Sequence, residues 1–243
     1  MRFFLRPAVT PFVILFIERD GSTYLTSLLT SHPDVEAVYE RFAVMKQKGQ
    51  EAAEQLAWAR QFLEPPWIGR TAARGFKTKL VDVLDPEGFS SALHATGSHV
   101  IYMSRLNHVK AVVSRLNAQR LHESSGNWNL YREEDRLPPL VADPAEFAAC
   151  LEERAQAEAD LKNYVSGLRL PIQRLVYEEL LGNRDETMER VFSFLGLRNA
   201  AVESRTLKHT SDDLRQALAN FDELRGRYSG TRYEPMFDEQ TIP

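Results

Sequence analysis

Apolar residues along this chain fall into short unbroken runs separated by longer stretches of helical period. Phe12-Val13-Ile14-Leu15-Phe16-Ile17 is a run of strand length. From Ser22 the period changes, and Leu25, Leu28 and Leu29 share one side of a helix predicted from Ser22 to Thr30, ending before Pro33. A second helical pattern covers Gln50 to Leu63 and is closed by Pro65-Pro66. Gly75 to Val81 reads as a short strand and loop, Pro86 to Ala95 as a helix, and His99 to Arg105 as a strand feeding a helix from His108 to His122. After a break come a long helix from Pro144 to Gly167, a strand from Ile172 to Tyr177, and a helix from Arg184 to Leu195 that Gly196 terminates. One further helical pattern lies around Asp212 to Leu224. Strands alternating with helices of this length predict an α/β fold with a central parallel sheet and crossover helices.

Composition fits one domain over residues 1–243: 43% of residues are hydrophobic and 26% charged, enough to bury a substantial core. A formal net charge of −4 argues against general affinity for nucleic acid or an acidic membrane. The one cysteine, Cys150, excludes an internal disulfide, and no Cys/His cluster has zinc spacing, so no metal site is expected. Arg2 and Arg6 precede an apolar stretch from Val9 to Ile17, but Pro11 interrupts it and Glu18-Arg19-Asp20 ends it, so a first strand is expected rather than a secretory signal. No run approaches the roughly 18 apolar residues of a membrane span, and the expected location is cytoplasmic. The segment 124–144 breaks pattern with Ser-Ser-Gly, Trp128, Tyr131, a charged run and Pro138-Pro139. A lid on the acceptor side is the expectation for it.

The chemistry concentrates where the first strand turns into the first helix. Arg19, Gly21, Ser22 and Thr23, followed by Tyr24, combine fixed charge, a glycine that lets backbone approach, two hydroxyls and helix N-terminal amides, the elements of a phosphate cradle. An ordinary Ser/Thr helix cap would use the same residues. A Walker A loop is excluded, because one glycine and no following lysine are present. A second anion site is suggested by Arg105 at the end of the His99 strand with Ser114 nine residues on, since ligands of open α/β sheets bind at carboxyl ends of strands.

These two constellations in this order resemble sulfotransferases that use 3′-phosphoadenosine-5′-phosphosulfate (PAPS), especially the bacterial carbohydrate-type group akin to trehalose and Nod-factor sulfotransferases. Arg19 to Thr23 looks like that family's 5′-phosphosulfate loop, and Arg105 with Ser114 like its 3′-phosphate pair. Ser31-His32-Pro33-Asp34-Val35, Tyr177-Glu178-Glu179-Leu180, Phe194-Leu195-Gly196-Leu197, Lys208-His209-Thr210 and Gly230-Thr231-Arg232-Tyr233 extend the similarity over most of the chain. The resemblance implies a P-loop-like three-layer fold and transfer of a sulfuryl group from PAPS to an acceptor hydroxyl on a carbohydrate, lipid or secondary metabolite, leaving 3′,5′-ADP. It implies Glu40 as the base, with Glu36 in reserve, Lys77 at the end of the second strand on the leaving phosphate, Tyr177 on the adenine and Lys208 over the nucleotide. Ion pairing is the structural alternative for Glu40, a surface position for Lys77 and core packing for Tyr177. Gly75-Phe76-Lys77-Thr78-Lys79 departs from the cytosolic aryl and steroid members, which carry a histidine base there. Asp20 departs too, placing a carboxylate beside the expected phosphosulfate. The competing functions are an ATP-dependent P-loop kinase and a non-catalytic nucleotide-binding protein. Trp58, Trp67, Phe42, Trp128 and Tyr131 are the aromatics available to an acceptor.

Overall fold

The computed structural model describes residues 9–65, 70–130, 132–204, 211 and 213–238. Strand β1 (Thr10–Leu15) is followed by α1 (Ser22–Ser31), β2 (Val35–Val38), α2 (Arg41–Gln47), α3 (Ala52–Leu63) and β3 (Ala73–Thr78). Then come α4 (Pro86–Thr96), β4 (His99–Ser104), α5 (His108–Ser125), α6 (Pro144–Gly167), β5 (Ile172–Val176), α7 (Tyr177–Gly182) and α8 (Arg184–Phe194). Three short helices close the described chain: α9 (Leu214–Ala217), α10 (Phe221–Arg227) and α11 (Glu234–Asp238).

The sheet is parallel throughout, in the order β2-β3-β1-β4-β5. Why β1 is apolar throughout follows from that order: it is central and covered on both faces. Its alternation sends Phe12, Ile14 and Phe16 toward α1 and α8, where they pack with Leu25, Leu28, Val191 and Phe192. Val13 and Leu15 face the other way, onto Phe42, Phe89, Leu161 and Val165 of α2, α4 and α6. The three layers expected from the sequence are present. A further apolar cluster joins α5 and α6 to the C-terminal helices through Val113, Phe147, Phe221 and Phe237.

Several elements differ from the sequence expectation. β2 and α2 were absent from it, because four half-buried residues (Val35–Val38) and a seven-residue helix give too short a period to read. Lys77 is therefore on the third strand, not the second. The helical pattern around Asp212 to Leu224 is two helices, interrupted where Leu218 takes an extended conformation and pairs through a bridge with Leu140. Tyr177 opens α7 and does not end the strand. Among the described residues, no helix is long and apolar enough to cross a membrane.

Candidate active site

From β1 the chain passes to β2 and β3 on one side, then crosses to β4 on the other. That reversal opens a crevice at the carboxyl ends of β1, β3 and β4. The turn after β1 occupies it. Gly21 has φ of 83°, and a Cβ there would lie 2.2 Å from Cδ2 of Tyr177, so glycine is required both by conformation and by the ring lying on it. Helix α1 starts at Ser22 with no side chain capping its first amides, which leaves those N–H groups and the positive end of the helix dipole for an anion. This disposes of the helix-cap alternative.

Each strand end contributes one cation. The alternation of β3 that puts Phe76 among α2, α3 and α4 turns Lys77 the other way, under α1. Its Nζ, on a side chain 1% exposed, donates to Ser22 Oγ at 3.2 Å and Thr23 Oγ1 at 2.8 Å, and pairs with Glu40 Oε1 at 3.0 Å. Burial lowers the Lys77 pKa, and the Glu40 carboxylate opposes that shift. Lys77 is thus not a surface lysine. Glu40 sits between β2 and α2, a third exposed, with one face on Lys77 and the other open. Its ion-pair partner is Lys77 and not its chain neighbour Arg41, whereas Glu36 is held by Arg74 at 3.0 Å in the N-terminal half of β2, away from the crevice.

Just past β4, Arg105 is buried, and its Nη1 donates to the Arg19 carbonyl at 3.0 Å. The guanidinium carbon lies 4.6 Å from the centre of the Tyr177 ring. Its Nε is buried without a hydrogen-bond partner, the nearest carboxylate being Glu178 at 4.0 Å. Glu178 is engaged instead by the backbone N–H groups of Leu106 and Asn107, at 3.0 and 3.1 Å. Arg19 Nε donates to Ser114 Oγ on α5 at 2.9 Å, and Nη1 to the Trp128 carbonyl at 3.4 Å. Burial lowers the pKa of both guanidiniums, and Arg105 lowers that of Arg19 further by repulsion. Two crowded cations, an orphaned buried N–H and an uncapped helix together fit a ligand with more than one anionic group.

The structure therefore brings Arg19, Gly21, Ser22, Thr23, Glu40, Lys77, Arg105, Ser114 and Tyr177 to one edge of the sheet. Tyr24 is apart, packed partly buried against the α1–α8 core. Lys208, Trp67 and Tyr131 lie outside the described residues. Phe42 is buried in the core, and Trp58, partly buried, packs against it and stacks on Phe62 at 5.0 Å. Trp128 is exposed and stacked on His122 at 4.2 Å. Asp20 does not face the crevice: it is fully buried and paired to Arg154 of α6 at 2.5 Å. Sequence reading missed Arg154, although its signal was present. A charged residue at the core spacing Phe147, Cys150, Leu151, Arg154, Leu161 is out of place unless it has a buried partner.

This sheet order with this turn is the sulfotransferase fold. It is shared with a sulfotransferase from Alicyclobacillus acidocaldarius (TM-score 0.53, 16% identity, 96% of this chain and 97% of that one). The sulfotransferase domain from the Curacin biosynthetic pathway has it as well (TM-score 0.50, 15% identity, 95% and 90%). In sequence the chain is 25% identical to nodulation protein H of Rhizobium tropici over 242 residues, covering 96% of this chain and 94% of the relative. It is also 25% identical to nodulation protein H of Rhizobium meliloti over 240 residues, covering 94% and 95%. No family model matches. The resemblance read from the sequence is borne out by these relatives and by the fold.

Proposed function

We propose that this chain is a sulfotransferase using PAPS as donor and a hydroxyl compound as acceptor. The observation that carries the reading is the convergence of Arg19, Lys77, Arg105 and Ser114 around the uncapped start of α1. When bound, PAPS supplies a sulfuryl group to an acceptor hydroxyl and leaves as 3′,5′-ADP. The first amides of α1, Ser22, Thr23 and Lys77 hold the 5′ end. Arg105 and Ser114 hold the 3′-phosphate, Arg19 serves the 5′ end from within the loop, and Tyr177 offers an aromatic face to the base. Lys77, already bonded to the loop hydroxyls, neutralises charge that develops at the leaving oxygen. Glu40, anchored by Lys77 and open on its other side, takes the acceptor proton. The sulfotransferase fold and the related nodulation proteins favour this reading over an ATP-dependent kinase or a non-catalytic binder.

A cavity of about 730 Å³ opens at Phe16, Ile17 and Glu18, where β1 leads into the loop, and we assign the apolar part of the acceptor to it, with the reacting hydroxyl extending beyond its lining toward Glu40. Phe16, Leu80, Val112 and Leu161 line it, and the Phe16 ring centre is 5.0 Å from Lys77 Nζ. The cations in its lining are matched: Arg115 by Glu18 at 2.8 Å and Glu153 at 2.7 Å, Arg154 by Asp20, and Lys79 by Asp82 at 3.5 Å. An uncharged acceptor with an apolar part fits that lining better than an anionic one. Segment 124–144 reaches the donor loop through the Trp128 carbonyl, which supports its reading as a covering segment. The decisive test compares 3′,5′-ADP, 5′-AMP and ATP with magnesium by thermal shift and calorimetry. Stabilisation chiefly by 3′,5′-ADP is expected, and a preference for ATP with magnesium would overturn the assignment.

A further inference from the structure

Arg19 is the one non-glycine residue, among those described, that has a positive φ, at 69°. A side chain held there costs about 1–2 kcal/mol, so the surroundings must impose it. They do so from both sides. Asp20 N–H donates to the Ile17 carbonyl at 3.1 Å, and Ile17 N–H donates to Asp20 Oδ2 at 3.1 Å. Arg154, reaching up from α6, donates through Nη2 to Asp20 Oδ1 at 2.5 Å and through Nη1 to the Glu18 carbonyl at 3.3 Å. One guanidinium thus grips the residue before Arg19 and the residue after it, with Arg154 6% exposed and Asp20 not at all.

We infer that Arg154 is a positioning residue for the donor loop. By clamping Glu18 and Asp20 it holds Arg19 in the left-handed conformation that sends its side chain to Ser114 and its carbonyl to Arg105, and it neutralises Asp20 next to the anion site. The inference rests on the loop being the nucleotide site proposed above. The charge is well chosen for that place. Burial raises the Asp20 pKa, with Arg154 the main opposing influence. The other groups around the pair are Arg105 beyond β4, Tyr102 on β4, Glu158 of α6 with its partner His108 of α5 at 3.0 Å, and Arg174 of β5, which acts on Tyr102 and Glu158. Of the two permanent cations among these, Arg105 is the one that acts on Asp20, and the anion site needs it.

The test measures 3′,5′-ADP affinity from pH 6 to pH 8, each variant taken as a ratio to wild type at the same pH. Arg154→Met is expected to lose at least about tenfold at pH 8, with the deficit shrinking as the pH falls and Asp20, its pKa raised by burial, takes up a proton. Arg154→Lys, which keeps the charge but cannot grip Glu18 and Asp20 together through two guanidinium nitrogens, is expected to show a smaller deficit than Arg154→Met, and one that changes little with pH. Wild-type affinity in Arg154→Met, or a deficit that is the same at every pH, would overturn the inference. The charge-free pair Asp20→Asn/Arg154→Met carries the test if the single variant does not fold. Its crystal structure without ligand is expected to show Arg19 outside the left-handed region, and retention of the positive φ refutes the clamp. That structure decides the question even if wild type fails to bind 3′,5′-ADP, a result that would instead refute the nucleotide assignment.

Discussion

Replacing Arg105 with alanine separates the two ends of the proposed donor. This guanidinium spends one N–H on the Arg19 carbonyl, at 3.0 Å, and its buried Nε has no acceptor. A 3′-phosphate is the group that would satisfy it. A hydrogen bond to a charged group contributes about 1.5–3 kcal/mol, which corresponds to roughly 10- to 150-fold in the dissociation constant. The variant also loses the hold on the Arg19 carbonyl and the packing against Tyr177, but those losses fall on any nucleotide in the loop. The informative quantity is therefore the ratio of two affinities measured by titration calorimetry. Arg105→Ala is expected to weaken 3′,5′-ADP at least about tenfold more than 5′-AMP, which lacks the 3′-phosphate. Equal losses for both ligands would refute the reasoning and remove Arg105 from the 3′ site.

Gly21→Ala forces a Cβ to 2.2 Å from the Tyr177 ring at a φ of 83°, and a fall in Tm of at least about 4 °C is expected, from roughly 2 kcal/mol in a chain of this size. An unchanged Tm in scanning calorimetry would show that the ring moves away freely. Glu40→Gln should lower turnover at least about 100-fold while 3′,5′-ADP binds within about threefold of wild type, and an active variant would require another base. Because burial lowers the Lys77 pKa below its unfolded value of 10.5, the unfolded chain binds more protons than the folded one between those two values. The stability of wild type relative to Lys77→Met should therefore rise as pH increases through that window, and a pH-independent difference in denaturant titrations between pH 7.5 and 10 would contradict it.

The sequence makes the central layer of this fold plain because β1 is buried on both faces and reads as a continuous apolar run. The edge strand β2 is half-buried and four residues long, and leaves no comparable trace. Arg19, Gly21, Ser22 and Thr23 were legible as a cradle because they adjoin one another in the chain. Arg105 and Ser114 were legible because a strand end and the next helix fix their separation. What could not be read was any relation made only by the tertiary structure. Asp20 appeared as a charge facing the donor and is turned into the core by a residue more than a hundred positions away. Trp58 and Phe42 appeared available and are packed among Phe62, Phe76 and Phe89. Lys77 could be placed on a strand, but its three contacts with Ser22, Thr23 and Glu40 depend on which face of β3 meets α1.

Trp128 joins two parts of the molecule that a reporter would otherwise have to bridge. Its carbonyl rests on the Arg19 guanidinium, and its indole lies half in solvent on the His122 ring. An anion entering the loop draws on the same guanidinium N–H that now holds the carbonyl. Emission from Trp128 should consequently shift when the loop is loaded, giving the protein a built-in optical signal by which donor arrival can be followed in real time, before any acceptor has been identified.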